Sequence, residues 1–166
     1  MADHRAAPHT SSRATLERMI SPVQLVEVPP CPLAALRGHA SLANLSRTIR
    51  ELFDRFYRNP PPVARGLNVV LYHGDPAGAG TPIDVGVQVF GPFDPTGEVM
   101  AVSTPGGTAA TVAYLGPYDR LGEAHNAIQR WLRENERQAA GPFWEVYGHW
   151  NDDPAQRRTD VFYVLK

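Results

Sequence analysis

Two stretches of the chain repeat the same order of short motifs, and this internal repeat constrains the fold most. Leu71-Tyr72-His73 corresponds to Val146-Tyr147-Gly148 at an offset of 75 residues (72 to 147). Ile83-Asp84-Val85 corresponds to Thr159-Asp160-Val161 at an offset of 76 residues (84 to 160). Around each pair of motifs the hydrophobic pattern predicts a strand, a helix and two further strands, in that order. We therefore predict two β-α-β-β units related by a pseudo-two-fold axis.

The helix of each unit is indicated by apolar residues at helical spacing. The first helix is predicted near Leu42–Tyr57 and ends before the prolines at positions 60–62. The second is predicted near Tyr118–Glu136, with Pro117 near its start and His125 bordering the core. The predicted strands are Val23–Val28, Leu33–His39, Leu67–His73, Ile83–Phe90, Thr108–Leu115, Phe143–Trp150 and Thr159–Leu165.

These elements define an α+β fold, an antiparallel sheet with two helices on one face. The opposite face of the sheet then requires a ligand, a partner or a covering loop. A chain of 166 residues with 43% hydrophobic and 20% charged residues fits one globular domain. Residues 1–21 are polar and patternless, without the apolar segment of a secretory signal, and are predicted to form a flexible tail before a domain at 22–166.

Charge and cysteine content exclude several functional classes. The net charge of −1 argues against a protein that binds nucleic acid through phosphate contacts. Cys31 is the only cysteine, so an internal disulfide and a cysteine metal cluster are excluded, and a reducing cytoplasm is expected. No apolar run approaches the ~20 residues that span a bilayer, so no membrane association is expected. His73 and His149 end equivalent predicted strands and are interpreted as solvated, with no metal site and no cofactor.

A lone carboxylate within an aromatic strand is the candidate ligand site. The alternation of a strand places Phe143, Glu145, Tyr147 and His149 on one face. A carboxylate there is costly to bury unless something satisfies it, and a box of aromatic rings around one carboxylate suits a flat cation. An alternative remains open, in which Glu145 lies at the rim of the sheet or pairs with Arg37 or Arg157.

Three further tyrosines are assigned to the same candidate ligand site. Tyr72 is the counterpart of Tyr147 in the repeat and should face the same way. Tyr114 lies just before a Gly-Pro-Tyr turn, and Tyr163 lies on the closing strand. Together they would supply stacking area and hydroxyl groups to a ligand.

The order of several motifs resembles the GyrI-like small-molecule-binding family, also called the AraC-type effector-binding domain. The matching motifs are Gly116 to Asp119 with Leu121, Glu145 with Tyr147, Asp152 to Pro154, Thr159-Asp160-Val161, and Arg37 after Ala34-Ala35-Leu36. The resemblance covers roughly residues 23–166. It implies a duplicated α+β fold with a central aromatic cleft.

The resemblance also implies a range of functions for a bacterial, cytoplasmic member of the family. In its multidrug-sensing transcription regulators, the equivalent of Glu145 pairs with cationic aromatic ligands. No DNA-binding domain is recognised in the chain, so a stand-alone small-molecule-binding protein without direct nucleic-acid contact is the first expectation. The second is a hydrolase that opens cyclopropane rings of natural products with Glu145. The third is a protein that interacts with a larger partner, as gyrase inhibitors do.

Overall fold

The computed structural model describes residues 14–15 and 18–166. Its strands are β1 (Gln24–Val28), β2 (Pro32–Ala40), β3 (Arg65–Tyr72), β4 (Thr81–Val89), β5 (Met100–Ser103), β6 (Gly107–Leu115), β7 (Ala139–Tyr147) and β8 (Arg158–Leu165). Its helices are α1 (Leu45–Arg58) and α2 (Gly122–Glu134), with short 3-10 helices at Tyr118–Arg120 and Pro154–Gln156. No helix in this described part is long and apolar enough to cross a membrane.

The predicted duplication and α+β fold class are confirmed by the order of the sheet. One eight-stranded sheet runs β1-β6-β8-β7-β3-β4-β2-β5, and every neighbouring pair is antiparallel. This order is symmetric about the junction of β3 and β7. Each unit therefore comprises two strands, a helix and two more strands, and the first strand of each unit pairs with the other unit. The pairing of β1 with β6 and of β5 with β2 was not predicted, and neither was β5 itself.

Two short connections force the sheet to curl. Six strand spacings separate β1 from β2 and β5 from β6 in the sheet order, which is roughly 29 Å in a flat sheet. Each pair is joined by only three residues, which span about 14 Å at most. The connections also bond to each other, because the Cys31 amide donates to Thr104 Oγ1 at 3.0 Å and the Thr104 amide donates to the Cys31 carbonyl at 3.0 Å.

Curling creates two hydrophobic clusters, one on each face of the sheet. The larger lies under the helices and includes Leu52 and Phe56 of α1 with Ile128 and Leu132 of α2. The smaller lies on the concave face and contains Leu33, Val69, Leu71, Trp144 and Val164, and Cys31 of the first connection packs against it. The second face, which was predicted to need a covering element, is thus covered largely by the curled sheet itself.

The boundaries of several elements differ from prediction for local reasons. The first helix begins at Leu45 because Asn44 Oδ1 accepts from the Ser41 amide in the turn before it. Tyr118–Arg120 forms a 3-10 turn, so α2 begins at Gly122. Strand β7 begins earlier than the predicted Phe143, and Gly141, with φ of +128°, lies in a bulge inside it, where the register shifts between residues 139 and 143.

The predicted tail falls mostly on residues outside the described part of the chain. The residues next to the domain, however, belong to the folded structure. Met19 and Ile20 pack against the larger hydrophobic cluster. The Ser21 amide donates to the Ala113 carbonyl at 2.9 Å, and the Ala113 amide donates to Ser21 Oγ at 2.8 Å. The folded structure therefore begins before residue 22.

Candidate functional site

Glu145 lies beside the pseudo-two-fold axis, at the centre of the sheet. Its cross-strand neighbour on β3 is Val70, which is also its counterpart in the repeat (70 to 145). Glu145 is only 2% exposed. The duplication thus places one buried carboxylate where the two units meet, opposite an apolar residue in the equivalent position.

Two tyrosines that are equivalent in the repeat both donate to this carboxylate. The Tyr72 hydroxyl donates to Glu145 Oε1 at 2.6 Å, and the Tyr147 hydroxyl donates to the same oxygen at 3.2 Å. Because the two tyrosines flank the axis, their hydroxyls converge on the one acidic group that lies there. The predicted placement of Tyr72 as the counterpart of Tyr147 is therefore seen in the contacts.

A histidine from α2 contacts the second carboxylate oxygen. His125 Nε2 lies 3.2 Å from Glu145 Oε2, and its Nδ1 lies 2.7 Å from the Tyr163 hydroxyl. A neutral ring with its proton on Nε2 satisfies both contacts, since Nε2–H donates to the carboxylate and Nδ1 accepts from the hydroxyl. The cluster is then a continuous network, defined here as the carboxylate network: Glu145, Tyr72, Tyr147, His125 and Tyr163.

The tyrosines of this network are held as hydrogen-bond donors. Burial, and next the negative charge of Glu145, raise the pKa of Tyr72 and of Tyr147 well above the ordinary value. The same two causes raise the pKa of Tyr163. These hydroxyls therefore keep their protons near neutral pH and remain donors to the network.

Aromatic rings close over the carboxylate network. Phe143 stacks between Tyr72 and Tyr163, with ring centroids 4.5 and 4.7 Å away. Tyr147 meets the edges of Phe53 on α1 and of Tyr118, with centroids at 6.5 and 5.6 Å. The rings contact one another directly, so the side chains of the protein fill the space beside Glu145.

Five of the six predicted site residues come together, and the sixth lies apart. Glu145, Tyr147, Phe143, Tyr72 and Tyr163 form one cluster as described above. Tyr114 is fully buried on β6, and its hydroxyl donates to the Pro117 carbonyl at 2.6 Å. It therefore anchors the turn that carries Tyr118 and makes no hydrogen bond to the network. His149, assigned by strand parity to the same face, lies beyond the end of β7 and is exposed.

Sequence reasoning missed His125, Phe53 and Tyr118 as members of the site. His125 was interpreted only as a residue bordering the core. Its position one turn from Leu121 and three residues before Ile128, both buried, places it on the inner face of α2. A polar residue on that face was the available signal.

The two arginines considered as partners of Glu145 lie elsewhere. Arg37 donates to both oxygens of Asp84, from Nε at 2.7 Å and from Nη2 at 3.0 Å. Arg157 lies over the ring of Trp150. His73 is exposed, as its interpretation as a solvated residue requires, but its Nε2 also lies 2.7 Å from Asp84 Oδ2. Asp84 has no exposed side-chain surface, and a buried carboxylate recruits nearby donors.

Two pockets lie on the concave face of the sheet, away from Glu145. One, of about 170 Å³, is lined by Cys31, Trp144 and Phe162 among others. The other, of about 420 Å³, includes Gln24, Asp160 and Phe162 in its lining. Phe162 lines both pockets, so the two pockets are adjacent. Glu145 itself is only 2% exposed, and the rings of Phe53, Tyr118 and Phe143 pack against the tyrosines of its network.

The chain belongs to the family described as the GyrI-like small molecule binding domain, whose model matches residues 21–166. It therefore carries a small-molecule binding domain. Comparison with curated proteins gives no match.

Solved structures share the fold at low sequence identity. The EcmrR C-terminal domain has a TM-score of 0.66 and 21% identity, with coverage of 87% of this chain and 96% of that one. In a cryo-EM structure of an EcmrR–DNA complex, this chain spans only 62% of the EcmrR chain. SAV2435 bound to tetraphenylphosphonium has a TM-score of 0.57 and 11% identity, with coverage of 88% and 94%. A hydrolase from Listeria innocua has a TM-score of 0.58 and 8% identity, with coverage of 87% and 92%.

Proposed function

We propose that the protein binds flat aromatic small molecules, including organic cations, between α1 and α2 with Glu145 as the anionic floor of the site. One observation carries the proposal. Glu145 is buried, yet no arginine or lysine in the described residues forms an ion pair with it. Its partners are two tyrosine hydroxyls and a histidine.

The electrostatics of this arrangement favour a cationic guest. Three hydrogen bonds satisfy the lone pairs of the carboxylate, but the two tyrosines supply no net positive charge, and His125 supplies none in the neutral tautomer that fits its two contacts. A buried anion without a counter-charge retains most of the cost of its desolvation. A cation that stacks among the rings would supply the missing charge and gain cation–π contacts.

A guest must first displace aromatic side chains of the protein. Phe53 and Tyr118 touch Tyr147 only by their edges, and Tyr118 is 38% exposed. An aromatic pair of this kind contributes about 0.5–1.5 kcal/mol beyond its buried area. The rings of a ligand would replace such contacts, so opening this side of the site has a moderate net cost.

Calorimetric titration with ethidium, a planar aromatic cation, tests the proposal, and tetraphenylphosphonium, the tetrahedral cation bound in the structure of the neighbour SAV2435, is titrated beside it. Glu145→Gln preserves side-chain shape and removes the charge. Affinity should fall by about 1–3 kcal/mol, roughly 5- to 150-fold, the scale of a lost charge-assisted contact. The matched control is Glu51→Gln, the same change at an exposed position on α1, which should bind as the wild type does. Equal affinity of both variants would refute the role of Glu145.

A hydrolase is the second candidate, favoured by the proton-transfer chain from Glu145 through His125 to Tyr163. Glu145 would take a proton from water while the water oxygen bonds to an electrophilic ring carbon. The breaking carbon–carbon bond of a cyclopropane would then receive a proton from the network. Product analysis by mass spectrometry should show loss of turnover in Glu145→Gln while the substrate still binds. Equal turnover by wild type and variant would eliminate this candidate.

A further inference from the structure

We infer that Trp150 and Tyr118 form a second cation-binding subsite at the entrance to the carboxylate network, and that Arg157 occupies it in the free protein. The pair of rings is called the aromatic slot below. The ligand class is that of the proposed function, planar organic cations, on which the inference rests.

The guanidinium of Arg157 has the position that such a guest would take. Its Cζ lies 3.7 Å from the ring centroid of Trp150 and 5.6 Å from that of Tyr118. Both distances fall within the ~6 Å range of cation–π contact. The slot therefore already binds a flat cation, supplied by the protein itself.

Arg157 is held loosely enough to be displaced. Its Nε donates to the Asn151 carbonyl at 3.0 Å, and the ion pairs found within residues 18–166 do not include it. Trp150 is 65% exposed, so solvent and a guest reach the slot. The Trp150 indole also donates to Asp152 Oδ1 at 3.0 Å, which brings a negative charge beside the ring. These groups attract cations, and an entering cation competes with Arg157 alone.

The slot is connected to Glu145 by direct contacts. Tyr118 meets the edge of Tyr147 with centroids 5.6 Å apart, and the Tyr147 hydroxyl donates to Glu145. The segments that carry the slot are also bonded to each other, since the Gly116 amide donates to the Arg157 carbonyl at 2.9 Å. A cation captured by the slot thus lies one ring away from the wall of the buried site. Arg157 acts as an internal competitor for that capture.

Removal of the competitor should strengthen binding, which distinguishes this role from a structural one. Arg157→Gln should lower the Kd for the planar cation ethidium roughly 2- to 5-fold, the equivalent of an exposed cation–π contact. Arg158→Gln is the matched control, because it removes the same charge from an exposed neighbour that pairs with Asp160. Trp150→Leu should raise the Kd. Thermal unfolding of each variant confirms that it folds, and Arg157→Lys, a less effective stacking partner, should give an intermediate Kd.

The same changes in the Glu145→Gln background separate the two proposals. If the slot is a subsite of its own, Arg157→Gln still lowers the Kd in that background. If Glu145→Gln leaves the affinity unchanged, the proposed role of Glu145 in binding is refuted. The comparison of Arg157→Gln with Arg158→Gln still tests the aromatic slot in that case. An equal change of the Kd in these two arginine variants would refute the proposed aromatic slot, as would an unchanged Kd for Trp150→Leu. Absence of binding to both wild type and Arg157→Gln would overturn both proposals.

Discussion

The same isosteric change should have opposite effects on stability at the two buried carboxylates of this protein. Glu145 and Asp84 are 2% and 0% exposed. Glu145 is bonded only to tyrosines and a histidine, whereas Asp84 accepts two bonds from Arg37 and contacts His73. Glu145→Gln should stabilise the free protein, and Asp84→Asn should destabilise it.

The expected magnitude at Glu145 follows from its contacts. The glutamine oxygen can accept from Tyr72 and Tyr147, and its amide can donate to His125 once the ring proton moves to Nδ1. All three bonds survive, but each changes from charge-assisted to neutral, for a loss of roughly 2–4 kcal/mol in total. Removal of an uncompensated buried charge stabilises the folded protein by several kcal/mol. The net expectation is about 1–3 kcal/mol of added stability.

Asp84 should respond in the other direction. Its negative charge balances a guanidinium, and an asparagine cannot accept two bonds from Arg37 in the same geometry. Breaking a buried pair costs ~3–5 kcal/mol, and the 48% exposure of the Arg37 side chain reduces this to about 2–4 kcal/mol.

Urea denaturation at pH 7, monitored by tryptophan fluorescence, measures both changes against the wild type. The slope of the unfolding free energy against urea concentration should remain the same in all three proteins, so that differences in the midpoint report differences in stability alone. A loss of stability in Glu145→Gln equal to that of Asp84→Asn would refute the reasoning. Glu145 would then be a structural anchor, and its lack of a counter-charge would carry no functional meaning.

Two further expectations concern acid stability and the N-terminus. Burial opposes ionisation of Asp84, but bonds from Arg37 and His73 prevail and hold its pKa below the ordinary value of 3.8. This contribution is present above about pH 4 and is lost as the pH falls through the native pKa, so the wild type should lose more stability than Asp84→Asn on acidification. Deletion of residues 1–13 should leave the Tm nearly unchanged. Deletion of residues 1–21 removes the contacts of Met19 to Ser21 and should lower it by roughly 4–8 °C, about 2 kcal/mol.

Local geometry explains why part of the site could be predicted from the sequence. Strand parity places Glu145 and Tyr147 on one face whatever the strand pairs with, because side chains alternate along every strand. The offset of the repeat identifies Tyr72 as the counterpart of Tyr147 without knowledge of the sheet. The same parity failed for His149, because β7 ends at Tyr147.

By itself, the sequence determined the two repeated units, the types of most of their elements and the lone carboxylate among aromatic residues. The tertiary structure alone decided that β1 and β5 exchange between units, that the sheet curls, and that His125 of α2 meets Glu145. It also placed Arg37 and Arg157 away from that carboxylate. Periodicity reports the geometry within one element, whereas these contacts depend on which distant elements pack together and on the short connections that restrict them.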